Sequence, residues 1–253
     1  MSNPTTIRAD DRKRLRMKES LWSMFFVTVV CLPSAGQDFG LSFSYFVPKS
    51  GYISTPVSPF SVRGLGFDLN RYVALETGGS LYRMSGLNLK DLPIESRKPL
   101  LGPNFTIFVP VEIVIQLQGS RVGLDLKGGG FFFYGFAQKI NYGNFDRAIR
   151  AAQQWQVVNS EFSFRNNPGF GYHGGAELTV HVTEQVGVSL EANYLVGEAK
   201  FPLQGSYTGG NSTLETVQVD YQDAKIDFTG FEFAVGLIFS SGNSKAPARR
   251  KRR

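Results

Sequence analysis

The chain carries two histidines, His173 and His181, and Glu177 is spaced from the second so that proton transfer can be considered. Glu177 lies four residues before His181. On a strand, positions four apart share a face, so the two form a candidate acid–base pair. The plainer reading of the same spacing is a hydrogen bond or ion pair in a packed interior, and it is preferred. A nucleophilic triad also needs a serine within reach of the histidine, and the residue two beyond His181 is Thr183. Gly169, Gly171 and Gly174 match G-x-G-x-x-G. That pattern cradles phosphate only where a strand turns into a helix. Here it runs into 176–182, which alternates like a strand, so it carries no phosphate chemistry. The single cysteine, Cys31, excludes a disulfide, and the chain lacks the Cys/His spacing of a zinc site. No catalytic residue, metal or cofactor is expected, and the protein is read as a non-enzyme.

What must position the remaining polar residues is a set of alternating segments. They lie near 38–47, 60–69, 72–84, 104–117, 121–136, 170–183, 186–200 and 227–239. In the last, Phe231, Phe233, Val235, Leu237 and Phe239 occupy every second position, and Glu232, Ala234, Gly236 and Ile238 lie between. Such a strand has one greasy face and one mixed face. The fold class expected is all-β: an eight-stranded antiparallel up-and-down barrel crossing a membrane, with long external loops and one short loop helix. Three connections are tight, near 70–71, 118–120 and 183–185. The others are long, near 48–59, 85–103, 137–169 and 201–225. Outer-membrane barrels have this rhythm of short periplasmic turns and long external loops.

Over 37–240 the chain therefore resembles the small eight-stranded outer-membrane barrels, the OmpA/OmpX/OmpW-like group of Gram-negative bacteria. The resemblance rests on strand count, loop rhythm and the aromatic closing strand. It implies a Gram-negative outer membrane with both termini periplasmic. Two features depart from it. Fourteen residues follow Phe239, where the group's assembly signal usually ends the chain. Pro110 lies inside the fourth strand, where it removes a ladder donor and predicts a bulge or a split.

Period two does not say which face is inside. The alternative is a soluble up-and-down barrel with its greasy face inward. The mixed face decides, because it carries Asp68, Glu76, Glu112, Asp125, Lys127, Glu177, His181, Glu191 and Glu232. A row of charges makes neither an apolar cavity nor a lipid contact. Glu76, Glu112, Asp125, Lys127, Glu177, His181, Glu191 and Glu232 are thus expected to form a lumen charge network. Phe231, Phe233, Val235, Leu237 and Phe239 are expected to form a membrane-facing assembly strand. Eight strands leave a lumen that side chains fill, so its charges must pair. Arg121 is a further candidate partner, and Lys90 stands as an ordinary loop lysine for comparison.

The net charge of +6 is concentrated at the ends. Residues 37–244 hold 15 basic and 18 acidic residues, so the body is mildly acidic and nucleic acid is not an expected partner. Arg12, Lys13, Arg14, Arg16 and Lys18 precede a short apolar stretch at 21–32, with Ser34 and Gly36 around a cut before Gln37. Residues 1–36 read as a signal peptide, with Met17 a possible true start. Residues 241–253 read as a basic disordered tail. In the longest loop, 144–156 reads as a helix, capped by Asn144 or Asp146 and packing through Phe145, Ile149 and Trp155. The role expected is structural or surface-interacting, with the lumen plugged. A narrow channel for small solutes is the alternative, and a lipid-modifying enzyme ranks third. Expected partners are outer-membrane lipid, the barrel-assembly machinery during insertion and an unidentified extracellular or envelope component.

Overall fold

The computed structural model describes residues 39–49, 57–84, 87–119 and 121–239. The expected signal peptide at 1–36, the alternative start at Met17 and the tail at 241–253 lie outside the described residues.

In chain order the elements are β1 (Phe39–Pro48), β2 (Val57–Asn70), β3 (Val73–Met84), β4 (Leu89–Lys90), β5 (Asn104–Gln118) and β6 (Val122–Phe136). Then come α1 (Tyr142–Gln153), β7 (Val157–Phe164), β8 (Gly169–His181), β9 (Val186–Lys200), β10 (Leu203–Gly210), β11 (Leu214–Tyr221), β12 (Lys225–Asp227) and β13 (Gly230–Phe239). Eight strands close into an antiparallel ring in the order β1-β2-β3-β5-β6-β8-β9-β13, and β13 pairs back with β1 from Phe39↔Phe239 to Pro48↔Gly230. These are the eight alternating segments of the sequence. No helix among the described residues is long and apolar enough to cross a membrane.

Alternation sets the wall. The greasy face of each strand points outward: Phe231, Phe233, Val235, Leu237 and Phe239 are all 40–54 % exposed. Aromatic pairs gather near both ends of this outer surface. Phe39 stacks with Phe239 toward the turn end, and Phe105 stacks with Phe136 toward the loop end. Aromatic belts of this kind sit at membrane interfaces.

Pro110 does not produce the expected bulge. The β5–β6 register runs unbroken through Phe131↔Pro110. On the other side the ladder skips from Thr77↔Val111 to Ser80↔Phe108 with no residue inserted. Opposite the skip lie Gly78 and Gly79, and Thr77 Oγ1 donates to the Pro110 carbonyl at 2.6 Å. The missing donor is absorbed by an unpaired step of the ladder. The irregular strand is β2. Its register shifts between Val62 and Leu65, around Gly64 at φ 70°. One extra residue reverses the parity of the strand.

The long loops are built, not open. The β8–β9 ribbon continues past the ring as β7–β10, and β11 joins as a third strand. Helix α1 lies against this sheet through Phe145, Ala148 and Ile149, with Phe145 and Phe162 ring to ring at 5.0 Å. The cap is Asn141, not Asn144 or Asp146: its Oδ1 accepts from Asn144 N at 3.2 Å. Asp146 instead holds β7, accepting from Ser160 N at 2.9 Å and Ser160 Oγ at 2.5 Å. Trp155 lies beyond the helix and meets Tyr207 edge-on.

The β3–β5 connection has the largest consequence for the lumen. Its strand β4 pairs with β12, which pairs in turn with the loop end of β9. In the ring, β3 and β9 are four strands apart in either direction, so they stand opposite one another. The connection therefore crosses the whole mouth of the barrel. Its own Leu87, Leu89, Ile94, Leu100 and Leu101 are buried.

Candidate functional site

The lumen holds the chemistry of the chain, arranged in two layers. The first is ionic. Glu177 and Glu191 are cross-strand partners, as are Asp125 and Glu177, and Glu76 and Glu112. Like charges directly opposite repel. Lys127 relieves one pair: its Nζ lies 2.5 Å from Glu177 Oε2 and 3.6 Å from Glu191 Oε1. Glu191 passes the network on to Arg63, with Nε at 3.8 Å. Arg63 Nη2 donates to Glu232 Oε1 at 2.6 Å, and Tyr82 OH donates to the same oxygen. Asn193 Nδ2 donates to Glu191 Oε1 at 2.9 Å and Glu232 Oε2 at 3.0 Å. Glu112 takes a separate partner, His173 Nε2, at 3.0 Å. All of these side chains except Asp125 and Glu76 are buried.

The second layer is aromatic and closes the loop end. Phe228 lies at its centre, stacked on Phe133 at 4.5 Å and on Phe46 at 4.7 Å. Phe108 and Phe131 complete it, with centroids 4.9 Å apart. Tyr82 and His173 join the layers. Tyr82 meets Phe46 and Phe108 edge-on while holding Glu232, and His173 stacks on Phe131 while holding Glu112.

Glycines make room for these rings. Rebuilding a Cβ at Gly171 would drive it into the Phe131 ring and the Val196 carbonyl, and one at Gly197 would come within 2.6 Å of Phe131. Gly169 does the same for Phe133. Two glycines of the G-x-G-x-x-G match are thus ring seats on the lumen face of β8. In the Gly128–Gly130 run only Gly129 is forced, since its Cβ would meet the Val111 carbonyl, whereas Gly128 and Gly130 have ordinary space.

Glu112, Lys127, Glu177, Glu191 and Glu232 all lie in the buried layer. Glu76 and Asp125 are half-buried toward the turn end, where Asp125 accepts from Gln118 Nε2 at 3.1 Å. His181 stands apart. It is half-buried at the turn, its backbone N–H bonded to Arg121 O, while Glu177 is taken up by Lys127. The proton-transfer pair of the sequence is therefore not assembled. Arg121 is exposed and supplies that carbonyl, not a buried cation.

Among solved structures, the chain is similar to the outer membrane protein OprG from Pseudomonas aeruginosa, with TM-score 0.55 and 11 % identity over 81 % of this chain and 96 % of that one. This is the fold of the small outer-membrane β-barrels. Weaker likenesses run to Ail of Yersinia pestis (TM-score 0.36, 11 % identity, 81 % of this chain and 96 % of that one) and to a major outer membrane protein from Thermus thermophilus (TM-score 0.43, 8 % identity, 81 % and 100 %). No protein-family model and no curated protein sequence matches the chain.

Sequence reasoning missed Arg63, His173 and Phe228. Counting outward from Leu65, Phe67 and Leu69 places Arg63 on the lipid face. The extra residue at Gly64 turns it inward. A glycine directly after an arginine within a strand pattern was the available signal. Phe228 follows β12 and precedes β13, so it lies outside strand periodicity.

Proposed function

We propose that the protein is an integral barrel of a Gram-negative outer membrane, with its turns and termini on the periplasmic side and a non-catalytic role exercised through its external loops. The observation that carries this reading is the double closure of the lumen. The strap from β3 to β5 lies over the mouth, and beneath it the five phenyl rings and Tyr82 fill the bore. A lumen packed with side chains positions surface loops; it does not pass solutes. The three-stranded sheet and α1 then stand beyond the wall as a built platform for an envelope or extracellular component.

One feature favours a second reading, a narrow path for small cations below a closed gate. Glu112, Glu177, Glu191 and Glu232 outnumber Lys127 and Arg63 in the buried layer. Planar-bilayer recording separates the two. The parent protein is expected to show little steady conductance. Phe131→Ala with Phe228→Ala, which hollows the plug, is expected to conduct more. Large, stable single-channel currents from the parent would remove the plugged reading and promote the channel.

A further inference from the structure

Where the β8–β9 ribbon leaves the ring, the wall is interrupted by a groove of about 580 Å³. Arg165, Asn167, Lys200, Pro202, Gln222 and Asp223 line it. Two bonds fix its backbone: Arg165 N donates to Pro202 O at 3.1 Å, and Asn167 Nδ2 donates to Lys200 O at 3.1 Å.

Its height relative to lipid is written in the strands below. On β8 the outward residues are Tyr172 and then Phe170, 66 % and 65 % exposed. On β9 they run from Tyr194 and Val196 to Glu198 and Lys200. With Val188 and Leu190 below them on the same face, β9 passes from apolar through aromatic to charged, the order met on leaving a bilayer through its interface. The groove thus opens at the level of lipid headgroups on the loop side.

Nearby cations are already engaged. Lys90 lies 2.9 Å from Asp227 Oδ2 and 3.7 Å from Glu198, and Lys225 lies 3.1 Å from Asp91 and 3.3 Å from Glu198. Arg165 and Lys200 make no ion pair with any described residue. Two unpaired cations in one groove at headgroup height attract phosphate. The same groove holds the Asp223 carboxylate, which repels a bare anion but accepts from a hydroxyl. The Asn167 and Gln222 amides also suit hydroxyls.

We propose that this groove binds a lipid of the loop-side leaflet whose headgroup is a phosphorylated sugar. Arg165 and Lys200 hold the phosphate, and Asp223, Gln222 and Asn167 hold sugar hydroxyls. The inference rests on the membrane placement of the barrel and not on its non-catalytic role.

The test uses the full chain in phosphatidylcholine nanodiscs containing either diphosphoryl lipid A or the same glycolipid stripped of phosphate. All variants are compared as heat-modifiable barrels. Retained glycolipid is measured by mass spectrometry after a wash. The parent is expected to retain the phosphorylated form preferentially, and Arg165→Gln with Lys200→Gln to retain about tenfold less of it. Arg165→Lys with Lys200→Arg should restore most of the retention. Equal retention of the two glycolipids by the parent would overturn the proposal. So would an equal loss from Lys98→Gln with Arg147→Gln, which would reveal diffuse attraction instead of a site. Displacement of the lipid by millimolar inorganic phosphate would assign the groove to free anions and overturn its lipid identity.

Discussion

Arg63 donates to Glu232 at 2.6 Å across 169 residues of sequence, and their strands are not neighbours. Strand β1 stands between β2 and β13, and the guanidinium reaches over it because β1 presents only Ser42 and Ser44 there. Ser44 Oγ accepts from the same Arg63 Nη2 at 3.5 Å. The contact ties three staves of the barrel together at the seam where the first and last strands meet. Its partners are the residues that also hold Tyr82 and Asn193, so one guanidinium anchors both the ionic layer and the foot of the aromatic layer.

Removing that guanidinium strands two buried carboxylates. Arg63→Met is expected to destabilise the folded barrel by about 3–5 kcal/mol, the range for breaking a buried pair from one side. Replacing Glu232 as well, by Leu, should recover part of the loss, because the pair is coupled. Urea titration in lipid vesicles, read by the mobility shift of unheated samples, gives both numbers. Additive losses in the double variant would show that Arg63 and Glu232 do not act together.

Lys127→Met should cost a similar amount, since Glu177 and Glu191 face each other and Lys127 is the cation between them. The comparison must be a lysine without a buried partner. Lys90 does not serve, because it neutralises Asp227, which is 1 % exposed, and so pins the strap across the mouth. Lys98 is exposed and makes no ion pair with a described residue, and Lys98→Met should leave the urea midpoint near the parent value. Matching midpoints for the Lys127 and Lys98 variants would dismiss the ionic layer as a source of stability.

The sequence states the ring well and the loops poorly, for one physical reason. Period-two alternation is imposed wherever one face meets lipid and the other meets side chains, so β5, β6, β8, β9 and β13 are plain to read. Above the membrane that constraint disappears. The sheet of β7, β10 and β11 is polar on one side and half-covered on the other, and β4 and β12 are too short for any period. The parity of a strand is also only as good as its regularity. Gly64 reverses β2, so Leu65 reads as outward correctly while Arg63, two residues earlier, reads wrongly. Within the lumen, Lys127, Glu177, Glu191 and Glu232 were legible as a charged row. The seating of Phe131 on Gly171 and Gly197 was not, because it joins three strands through ring geometry.

That seating gives a separate prediction for the aromatic layer. Gly171→Val places two methyl groups where the Phe131 ring lies, against a carbonyl that cannot retreat. The overpacking is expected to cost about 1–3 kcal/mol. It should also raise bilayer conductance or leak if the ring is forced out of the bore. Gly174→Val is the control, because a Cβ at Gly174 meets nothing closer than 3.8 Å and points to the outer surface. An equal midpoint shift for the two variants would mean that the ring seat is not what Gly171 provides.

The closing strand tests the outer surface. Val235 is 54 % exposed on the wall, opposite Phe43 on one side and Leu190 on the other, so its surroundings are apolar throughout. Val235→Arg is expected to cost about 2–4 kcal/mol near the midplane, and less if the position lies closer to an interface. Ala234, its inward neighbour, is 4 % exposed, and an arginine there would instead meet the Glu191 strand within the lumen. The two substitutions thus fail for different reasons, one through lipid and one through volume. Phe239 ends the strand stacked on Phe39, with centroids 6.3 Å apart, and joins the first strand to the last. Phe239→Ser is expected to lower the fraction of protein that inserts into lipid vesicles while leaving the midpoint of inserted protein nearly unchanged. Insertion at the parent's efficiency would show that this terminal aromatic does not guide assembly. A midpoint for Val235→Arg equal to the parent's would show that the face does not meet hydrocarbon.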